Sequence, residues 1–260
     1  MDYAISWTKG RLTDQSKQLI VALDHGMSFP DIQGLDRPLD TLKNVISDRN
    51  VDGIIAAPGV YRQAENMGLS LENINRLITV DFVATKQVGE MTCLTEREII
   101  LDPEEAGNYR PDCFKMFFNV YSDKKEMIRN ARDLSRFAVV GRRLHISCLA
   151  EVVFFGNESF LDPSRQAEEL YNGCRTAMEV GADVLKIPII EDTKAMCDII
   201  EKLQMPTFLL GGAKQPTRNG LTDSLKRLSE MPICGLMFGR NVWQNSDMQG
   251  VIAQIKDNLR

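Results

Sequence analysis

Residues 182–189 read Ala-Asp-Val-Leu-Lys-Ile-Pro-Ile, an apolar and β-branched run interrupted by one cation, Lys186. Such a run is typical of a strand that is buried on both faces. Helical stretches flank it at roughly 163–181 and 192–203, and Asp162 supplies a capping side chain before a proline at the first helical position. The segment therefore predicts one helix–strand–helix unit of an α/β fold.

The same unit recurs along the whole chain. Eight runs are predicted strands: Gln18–Asp24, Gly53–Ala57, Leu77–Val83, Phe114–Asn119, Leu144–Glu151, Asp183–Ile189, Thr207–Gly211 and Gly235–Gly239. The predicted helical stretches are 36–48, 59–68, 123–139, 163–181, 192–203, 217–230 and 247–258. Eight units in 260 residues predict a single-domain (β/α)8 TIM barrel over residues 1–260, because this fold takes about 250 residues.

A doubly wound open sheet is the alternative fold. It usually carries a glycine-rich first turn of the GxGxxG type, which this sequence lacks. The long polar stretch 84–112 does not fit the repeating unit, and we expect it to hold an extra helix or a loop over the barrel mouth.

Composition narrows the class of protein. The net charge is −5, so no basic surface is expected to attract nucleic acid or anionic lipid. The six cysteines occur one at a time without metal-type spacing, as is typical of free thiols in a reducing compartment. No signal-peptide pattern or membrane-spanning apolar run is present. We therefore expect a soluble cytoplasmic protein with no nucleic-acid or membrane partner.

Four charged residues are predicted to share the barrel interior. Side chains alternate along each strand between the interior and the helices, and this parity turns Asp24, Lys115, Glu151 and Lys186 inward. For each residue alone, a structural ion pair is an equally simple interpretation, and Lys186 alone could be a strand-end lysine that reaches water. Together they predict a catalytic site, because a purely structural interior is filled with Val, Ile and Leu.

The residue types favour Schiff-base chemistry. A lysine amine in a dry pocket can attack a ketone and form an iminium, so Lys186 is the predicted nucleophile, with Lys115 as the second cation that favours a neutral amine. Glu151 is predicted to shuttle protons. Asp24 is predicted either to accept a proton from the substrate hydroxyl or to hold substrate hydroxyls. The sequence leaves the division of these roles open.

The last two strands end in glycines. Barrels often bind phosphate in these two loops, so Gly211, Gly212, Gly239 and Arg240 are predicted to bind a substrate phosphate. A tight turn is the alternative for either glycine segment alone. Lys214 and Arg218 are further candidates, for which a solvated helix start is the alternative.

Metal chemistry is disfavoured. The chain has two histidines, His25 and His145, and no HxxxH or comparable ligand cluster, so we expect neither a metal nor another cofactor. His145 is predicted to be structural, near the start of the fifth strand. His25 and Tyr121 remain candidate proton donors, and the two tryptophans are predicted to pack.

Six segments, taken together, resemble the class I, Schiff-base aldolases grouped with archaeal-type fructose-bisphosphate aldolase and tagatose-bisphosphate aldolase. They are Ala22–Gly26, Phe114–Met116, Leu149–Val153, Gly181–Lys186, Leu210–Gly212 and Gly239–Gln244. The resemblance implies that Lys186 is the Schiff-base lysine, Asp24 a catalytic or substrate-orienting acid, and the glycines with Arg240 the phosphate ligands. It also implies a homo-oligomer.

The chain departs from the archaeal branch at the end of the fifth strand. That branch carries a catalytic tyrosine there, whereas this chain has Glu151. Glu151 with Lys115 resembles the tagatose-bisphosphate and sulfofructose-phosphate aldolase branch, although Asp24-His25-Gly26 resembles the archaeal one. The expected reaction is reversible cleavage of a phosphorylated ketose to dihydroxyacetone phosphate and an aldehyde. A transaldol-type synthase and a catalytically silent sugar-phosphate-binding barrel are the alternatives.

Overall fold

Short strands alternate with helices in the computed structural model, which describes residues 17–29, 32–89, 91–120, 124–212 and 218–259. The strands are β1 (Gln18–Ala22), β2 (Gly53–Ala56), β3 (Asn75–Thr79), β4 (Asp81–Val88), β5 (Met91–Ile99), β6 (Cys113–Asn119), β7 (Ser147–Val153), β8 (Val184–Ile187), β9 (Thr207–Leu210) and β10 (Gly235–Phe238). The helices are α1 (His25–Ser28), α2 (Pro38–Ile46), α3 (Pro58–Asn66), α4 (Pro103–Gly107), α5 (Lys124–Leu144), α6 (Pro163–Glu179), α7 (Thr193–Leu203), α8 (Arg218–Ser229), α9 (Arg240–Trp243) and α10 (Met248–Leu259). A 3₁₀ turn, Glu158–Leu161, follows β7.

Eight of these strands form a closed barrel in the hydrogen-bonded order β1-β10-β9-β8-β7-β6-β3-β2. The predicted (β/α)8 barrel is therefore confirmed. The chain divides into two compact units, here named the terminal unit (Met1–Ile78 and Phe208–Arg260) and the central unit (Thr79–Thr207). That residues 1–260 form a single domain stays a prediction.

Prolines and aspartate caps start several helices. Proline occupies an early position in α2, α3, α4 and α6, where its missing N–H leaves no helical hydrogen bond unmade. Asp162 accepts a hydrogen bond from the backbone N–H of Ser164 at 3.0 Å. Asp192 accepts one from the N–H of Ala195 at 2.9 Å. These contacts confirm the predicted starts of α6 and α7.

In the central unit, side chains of β6 alternate as predicted between the helices and the barrel interior. Phe114 packs edge-on against Phe137 of α5, with ring centroids 5.3 Å apart. Lys115, one residue further on, contacts Glu151 of β7 instead. One face of β6 therefore builds the apolar layer under α5, and the other face carries charge.

In the terminal unit, Tyr61 fixes α3 to the strands beneath it. Its side chain is 3% exposed. The hydroxyl lies 3.0 Å from the carbonyl oxygen of Ile54 on β2 and 3.1 Å from that of Leu77 on β3. Because a buried hydroxyl needs a polar partner, these carbonyls determine where the helix can sit.

The prediction for the third strand and for the stretch after it was wrong in detail. β3 ends at Thr79, and residues 81–88 and 91–99 pair as the antiparallel hairpin β4–β5, where the sequence predicted a strand to Val83 and then a loop or helix. Gly89 adopts a left-handed conformation, with φ of +61°, in the turn of this hairpin. The expected extra helix is limited to the short α4.

The start of the predicted fifth strand was also wrong. α5 continues to Leu144, because Arg142 and Arg143 are good helix formers and extend it. His145 then adopts a left-handed φ of 58° in an exposed turn, and β7 begins at Ser147. His145 therefore does not face the barrel interior.

Among the described helices, none is long and apolar enough to cross a membrane. α5 has 21 residues, a length that could span a bilayer. It is excluded by its charge, because it carries arginine at positions 129, 132, 136, 142 and 143.

The packing of α6 predicts a large loss of stability from one truncation. Leu170 of α6 is 0% exposed, whereas Leu161 just before the helix is 59% exposed. Leu170→Ala should lower the free energy of unfolding by about 2–5 kcal/mol, because it leaves a cavity. The control Leu161→Ala should change it by less than about 0.5 kcal/mol. Urea unfolding followed by circular dichroism measures both, and equal losses would contradict this placement of α6.

Candidate active site

Three ionisable side chains of the central unit are buried together: Lys115 of β6, Glu151 of β7 and Lys186 of β8. Their exposed fractions are 0%, 7% and 3%. Charged side chains are rarely buried to this extent unless they are paired. We name this group the lysine–glutamate triad, and it contains three of the four residues predicted to be catalytic.

The register of the strands explains why the three side chains of the triad lie together. Glu151 lies directly opposite Lys186 in the β7–β8 pair and opposite Phe117 in the β6–β7 pair. Residues opposite each other in a sheet project from the same face. Lys115 precedes Phe117 by two residues and shares that face, about 6–7 Å lower along the strand. Its long side chain reaches up to the level of Glu151.

The carboxylate of Glu151 bridges the two amines. Its Oε1 lies 2.8 Å from Nζ of Lys186, and its Oε2 lies 2.8 Å from Nζ of Lys115. Charge-assisted contacts of this length are among the stronger polar interactions in proteins. One carboxylate therefore balances one of two cations and lies where it can exchange a proton with either amine.

Lys115 is enclosed by the barrel wall as well as by Glu151. Its Nζ lies 3.4 Å from the centroid of the Phe117 ring, a cation–π contact. The Phe117 ring in turn lies against Phe155, with centroids 6.2 Å apart at an interplanar angle of 44°. Carboxylate and aromatic ring thus contact the same ammonium group.

A second buried ion cluster supports this region. Arg97 of β5 donates from Nε to Oδ2 of Asp81 at 2.7 Å and from Nη1 to Oδ2 of Asp133 on α5 at 3.0 Å. The backbone N–H of Phe117 also donates to Oδ2 of Asp81, at 2.9 Å. Burial raises the pKa of Asp81, and the nearby cations Arg97 and Lys115 oppose this shift. Burial alone would lower the pKa of Arg97, but the Asp81 and Asp133 carboxylates raise it.

Sequence reasoning missed this ion cluster. Asp81 stands in the apolar run Ile-Thr-Val-Asp-Phe-Val at 78–83, which was a usable signal of a buried charge. Arg97 lies in a polar stretch and Asp133 on an amphipathic helix, so neither gave a comparable signal. Only the hairpin β4–β5, which the sequence did not predict, returns Arg97 to Asp81.

In the terminal unit, Asp24 lies at the carboxyl end of β1, as predicted. It is 8% exposed, and its Oδ1 lies 3.7 Å from Nδ1 of His25. The His25 ring meets Trp243 edge-on, with centroids 5.5 Å apart. Trp243 donates from Nε1 to the carbonyl of Ala22 at 2.9 Å. Trp243 therefore packs as predicted, and it holds the segment that carries Asp24.

Two of the four predicted phosphate ligands sit where only glycine fits. A Cβ on Gly211 would lie 2.7 Å from the ring of Phe238, and a Cβ on Gly239 would lie 2.5 Å from the ring of His25. Asn241 joins the loops after β9 and β10 by donating from Nδ2 to the carbonyl of Gly211 at 2.7 Å. The loops are thus in contact, and a side chain at Gly211 or Gly239 would clash with a neighbouring ring.

Arg240 opens the short helix α9 directly after β10. Burial lowers the pKa of its guanidinium, which nevertheless remains charged at neutral pH. Its Nε is buried without a hydrogen-bond partner among the described residues. Gly212, the fourth predicted phosphate ligand, is exposed with φ of +60°.

Some predicted residues lie outside the described residues: Trp7, Tyr121 and Lys214, together with the side chain of Arg218. Within the described ranges, no three or more His, Cys, Asp and Glu side chains form a group that could hold a metal ion.

Comparisons with known proteins found a matching family, similar sequences and similar solved structures. The sequence profile of the DeoC/LacD family aldolase matches residues 18–245 of the chain. The class 1 fructose-bisphosphate aldolase of Thermoproteus tenax is 24% identical over 247 residues, covering 90% of this chain and 86% of that protein. The 2-amino-3,7-dideoxy-D-threo-hept-6-ulosonate synthase 1 of Archaeoglobus fulgidus is 25% identical over 246 residues, covering 91% and 83%.

A solved structure is similar over almost the whole chain. It is an archaeal fructose-1,6-bisphosphate aldolase whose catalytic Lys is covalently bound to the carbinolamine intermediate of the substrate. The TM-score is 0.79 with 18% sequence identity, covering 98% of both chains. At this identity the likeness supports the barrel fold.

The ion cluster predicts that Arg97 is essential for stability. Arg97→Met would leave Asp81 and Asp133 as buried carboxylates without their shared cation. We expect the free energy of unfolding to fall by about 3–5 kcal/mol, as when other buried ion pairs lose one partner. The control is Arg132→Met, because Arg132 also contacts Asp133, at 3.4 Å, but is 67% exposed. It should cost less than about 1 kcal/mol.

We also expect the difference in stability between Arg97→Met and the wild-type protein to depend on pH. Because burial raises the pKa of Asp81 above its ordinary 3.8, the folded state holds that proton more tightly than the unfolded state. The stability deficit of Arg97→Met should therefore be smallest below pH 3.8 and grow as the pH rises through the raised pKa. Urea unfolding at several pH values measures this change, and a deficit independent of pH would contradict the assignment to Asp81.

Proposed function

Because the chain belongs to the DeoC/LacD family of aldolases, and is therefore a carbon–carbon lyase, we propose that it acts through a lysine Schiff base on a phosphorylated ketose. The family match confirms the predicted resemblance and the predicted aldolase activity. The observation that carries the proposed mechanism is the 2.8 Å contact between Nζ of Lys186 and Oε1 of Glu151 on a buried strand face.

The reaction begins at Lys186. Its neutral amine attacks the ketone carbon, a C–N bond forms, and the carbonyl oxygen takes up a proton to give a carbinolamine. A second proton, taken up from solvent through the carboxyl group of Glu151, converts the hydroxyl group to water, which leaves as the iminium forms. Glu151 contacts the attacking nitrogen, so it is the group best placed to carry protons from nitrogen to oxygen.

Cleavage follows from the electron demand of the iminium. The substrate hydroxyl next to the breaking bond loses its proton to a base, and the C–C bond breaks as its electron pair moves into an enamine. An aldehyde leaves. The enamine carbon then takes up a proton, and water hydrolyses the iminium to release dihydroxyacetone phosphate or a close analogue. We assign Asp24 to the hydroxyl, as base or as hydrogen-bond acceptor.

Lys115 supports this chemistry through Glu151. It contacts Oε2 at 2.8 Å and so leaves Oε1 for Lys186. A carboxylate held at both oxygens has little rotational freedom, and its proton transfers are then directed at the reacting nitrogen.

We assign phosphate binding to the loops after β9 and β10. The supporting features are the glycines at 211, 212 and 239, the half-buried Arg240 with its buried Nε atom, and the contact of Asn241 with Gly211. An arginine with a buried, unused donor is typical of a site for an anion.

A synthase reaction is the second candidate. It is favoured by the Archaeoglobus relative, whose name is that of a heptulosonate synthase. Such a reaction would use the same iminium but transfer the enamine fragment to another acceptor. Product analysis distinguishes the two, because cleavage releases an aldehyde from the ketose phosphate alone, whereas transfer requires the acceptor.

A reducing compartment is the expected location. All six cysteines are free, which supports the cytoplasm. A homo-oligomer is the expectation that follows from the family resemblance.

The Schiff base predicts a trapped adduct on Lys186. Incubation with a panel of ketose bisphosphates and borohydride should leave a reduced adduct, mapped by mass spectrometry to Lys186. Lys186→Met should form none and lose turnover, whereas Lys194→Met, which alters a lysine with an 86% exposed side chain, should behave as wild type. Glu151→Gln should slow adduct formation about 10²–10⁴-fold. Full turnover by Lys186→Met would refute the mechanism.

The phosphate assignment predicts a selective effect on substrate binding. Arg240→Met should raise KM for a phosphorylated ketose about 10- to 100-fold, because a charge-assisted hydrogen bond contributes about 1.5–3 kcal/mol. Trapping of an unphosphorylated ketone should be unchanged. Arg37→Met, at an arginine with an 85% exposed side chain, is the control. An equal loss with phosphorylated and unphosphorylated ketones would exclude phosphate binding by Arg240.

A further inference from the structure

We propose that Phe117 is a positioning residue of this reaction: its ring, fixed through Asp81 and Arg97, holds the ammonium group of Lys115 against Glu151. The inference rests on the proposed function, in which Glu151 exchanges protons with Lys186. It adds a non-ionisable side chain, and the hairpin behind it, to the residues on which turnover depends.

The first support is the contact between the ring and the cation. Nζ of Lys115 lies 3.4 Å from the centroid of the Phe117 ring, and Lys115 is completely buried. In such a desolvated place a cation–π contact is stronger than on an exposed surface. The two residues are separated by one position on β6, so the ring lies one step above the Lys115 backbone on the same face. An aliphatic side chain at 117 would fill similar space but would not attract the cation.

The second support is the way in which the Phe117 backbone is held. Its N–H donates to Oδ2 of Asp81 at 2.9 Å. The same oxygen accepts from Nε of Arg97 at 2.7 Å, and Arg97 is anchored by Asp133 on α5. A strand residue that donates to a buried, ion-paired carboxylate has little freedom to shift. The hairpin β4–β5 and α5 thus hold the backbone from which the ring projects.

The third support is the register between the ring and the carboxylate. Phe117 lies opposite Glu151, and Glu151 lies opposite Lys186. With Lys115 on Oε2, the carboxylate is shared between two lysines. If Lys115 lost its contact with the ring and moved, Lys186 would be the principal cation beside Glu151. The Glu151 carboxylate would then no longer be held at both oxygens, and its alignment with the Lys186 nitrogen would be lost. Phe117 therefore acts on the nucleophile through two intermediate groups.

The test compares side chains at position 117 with and without a ring. Phe117→Leu and Phe117→Met remove the ring but keep an apolar side chain of comparable size, and Phe117→Tyr keeps the ring. The ringless variants should lower kcat about 3- to 30-fold, the kinetic equivalent of a cation–π contact. KM for the ketose phosphate should change less than about twofold. Phe117→Tyr should retain wild-type kcat, and rates are expressed per Lys186 that borohydride can trap, so that misfolded protein does not count.

The outcomes separate this inference from the proposed function. An adduct on Lys186 in wild type, slower trapping in the ringless variants, and rescue by tyrosine support it. Wild-type kcat per trappable site in Phe117→Leu or Phe117→Met would overturn the positioning role while leaving the Schiff-base mechanism intact. A rise in KM at constant kcat would also overturn it, because Phe117 would then act on substrate binding. No adduct in wild-type protein would overturn both proposals.

Discussion

The arrangement of the central unit depends on one interaction, in which the carboxylate of Glu151 contacts the amines of both Lys115 and Lys186. Burying an ammonium group without a partner is very unfavourable, so neither lysine could stay at 0% or 3% exposure if Glu151 were elsewhere. This places a strict demand on register. A shift of β7 by one residue would turn Glu151 toward the helices and bury two cations without a counter-ion. The proposed chemistry and the alignment of three strands therefore depend on the same contact.

The ion pairing continues behind the barrel wall. The charges of the side chains alternate with distance from the triad. Lys115 lies near Asp81, Asp81 contacts Arg97, and Arg97 contacts Asp133. Buried ion pairs of this kind add little stability compared with apolar packing, because both partners are desolvated. Their value here is geometric. They fix the hairpin β4–β5 and the backbone of Phe117, and through these the direction of the Lys115 side chain.

The proposed chemistry is divided between two kinds of support. Lys186, Glu151 and Lys115 stand on strands, whose side chains are held by neighbours on both sides and are well suited to a reaction that needs precise distances. The proposed phosphate ligands lie in loops, where glycine permits backbone N–H groups to approach an anion.

Much of the fold and of the site was predictable from sequence, because both rest on local periodicity. Alternation within β6, β7 and β8 is a property of neighbouring residues, so it identified Lys115, Glu151 and Lys186 as residues of one face, and repetition of the strand–helix unit identified the barrel. The local pattern of the sequence did not predict that the chain turns back on itself in the hairpin β4–β5. The contact of Arg97 with Asp81 joins residues 16 positions apart across a turn, and that of Arg97 with Asp133 joins residues 36 apart. Likewise, helix propensity past residue 140 outweighed the apolar pattern that predicted a strand from Leu144, which moved His145 out of the barrel. The sequence by itself determined which residues could be catalytic and on which face they lie. Only the tertiary structure decided which groups surround them. A buried charge needs an opposite charge nearby to offset its desolvation, and that partner can come from any distant segment that the fold brings within about 3 Å.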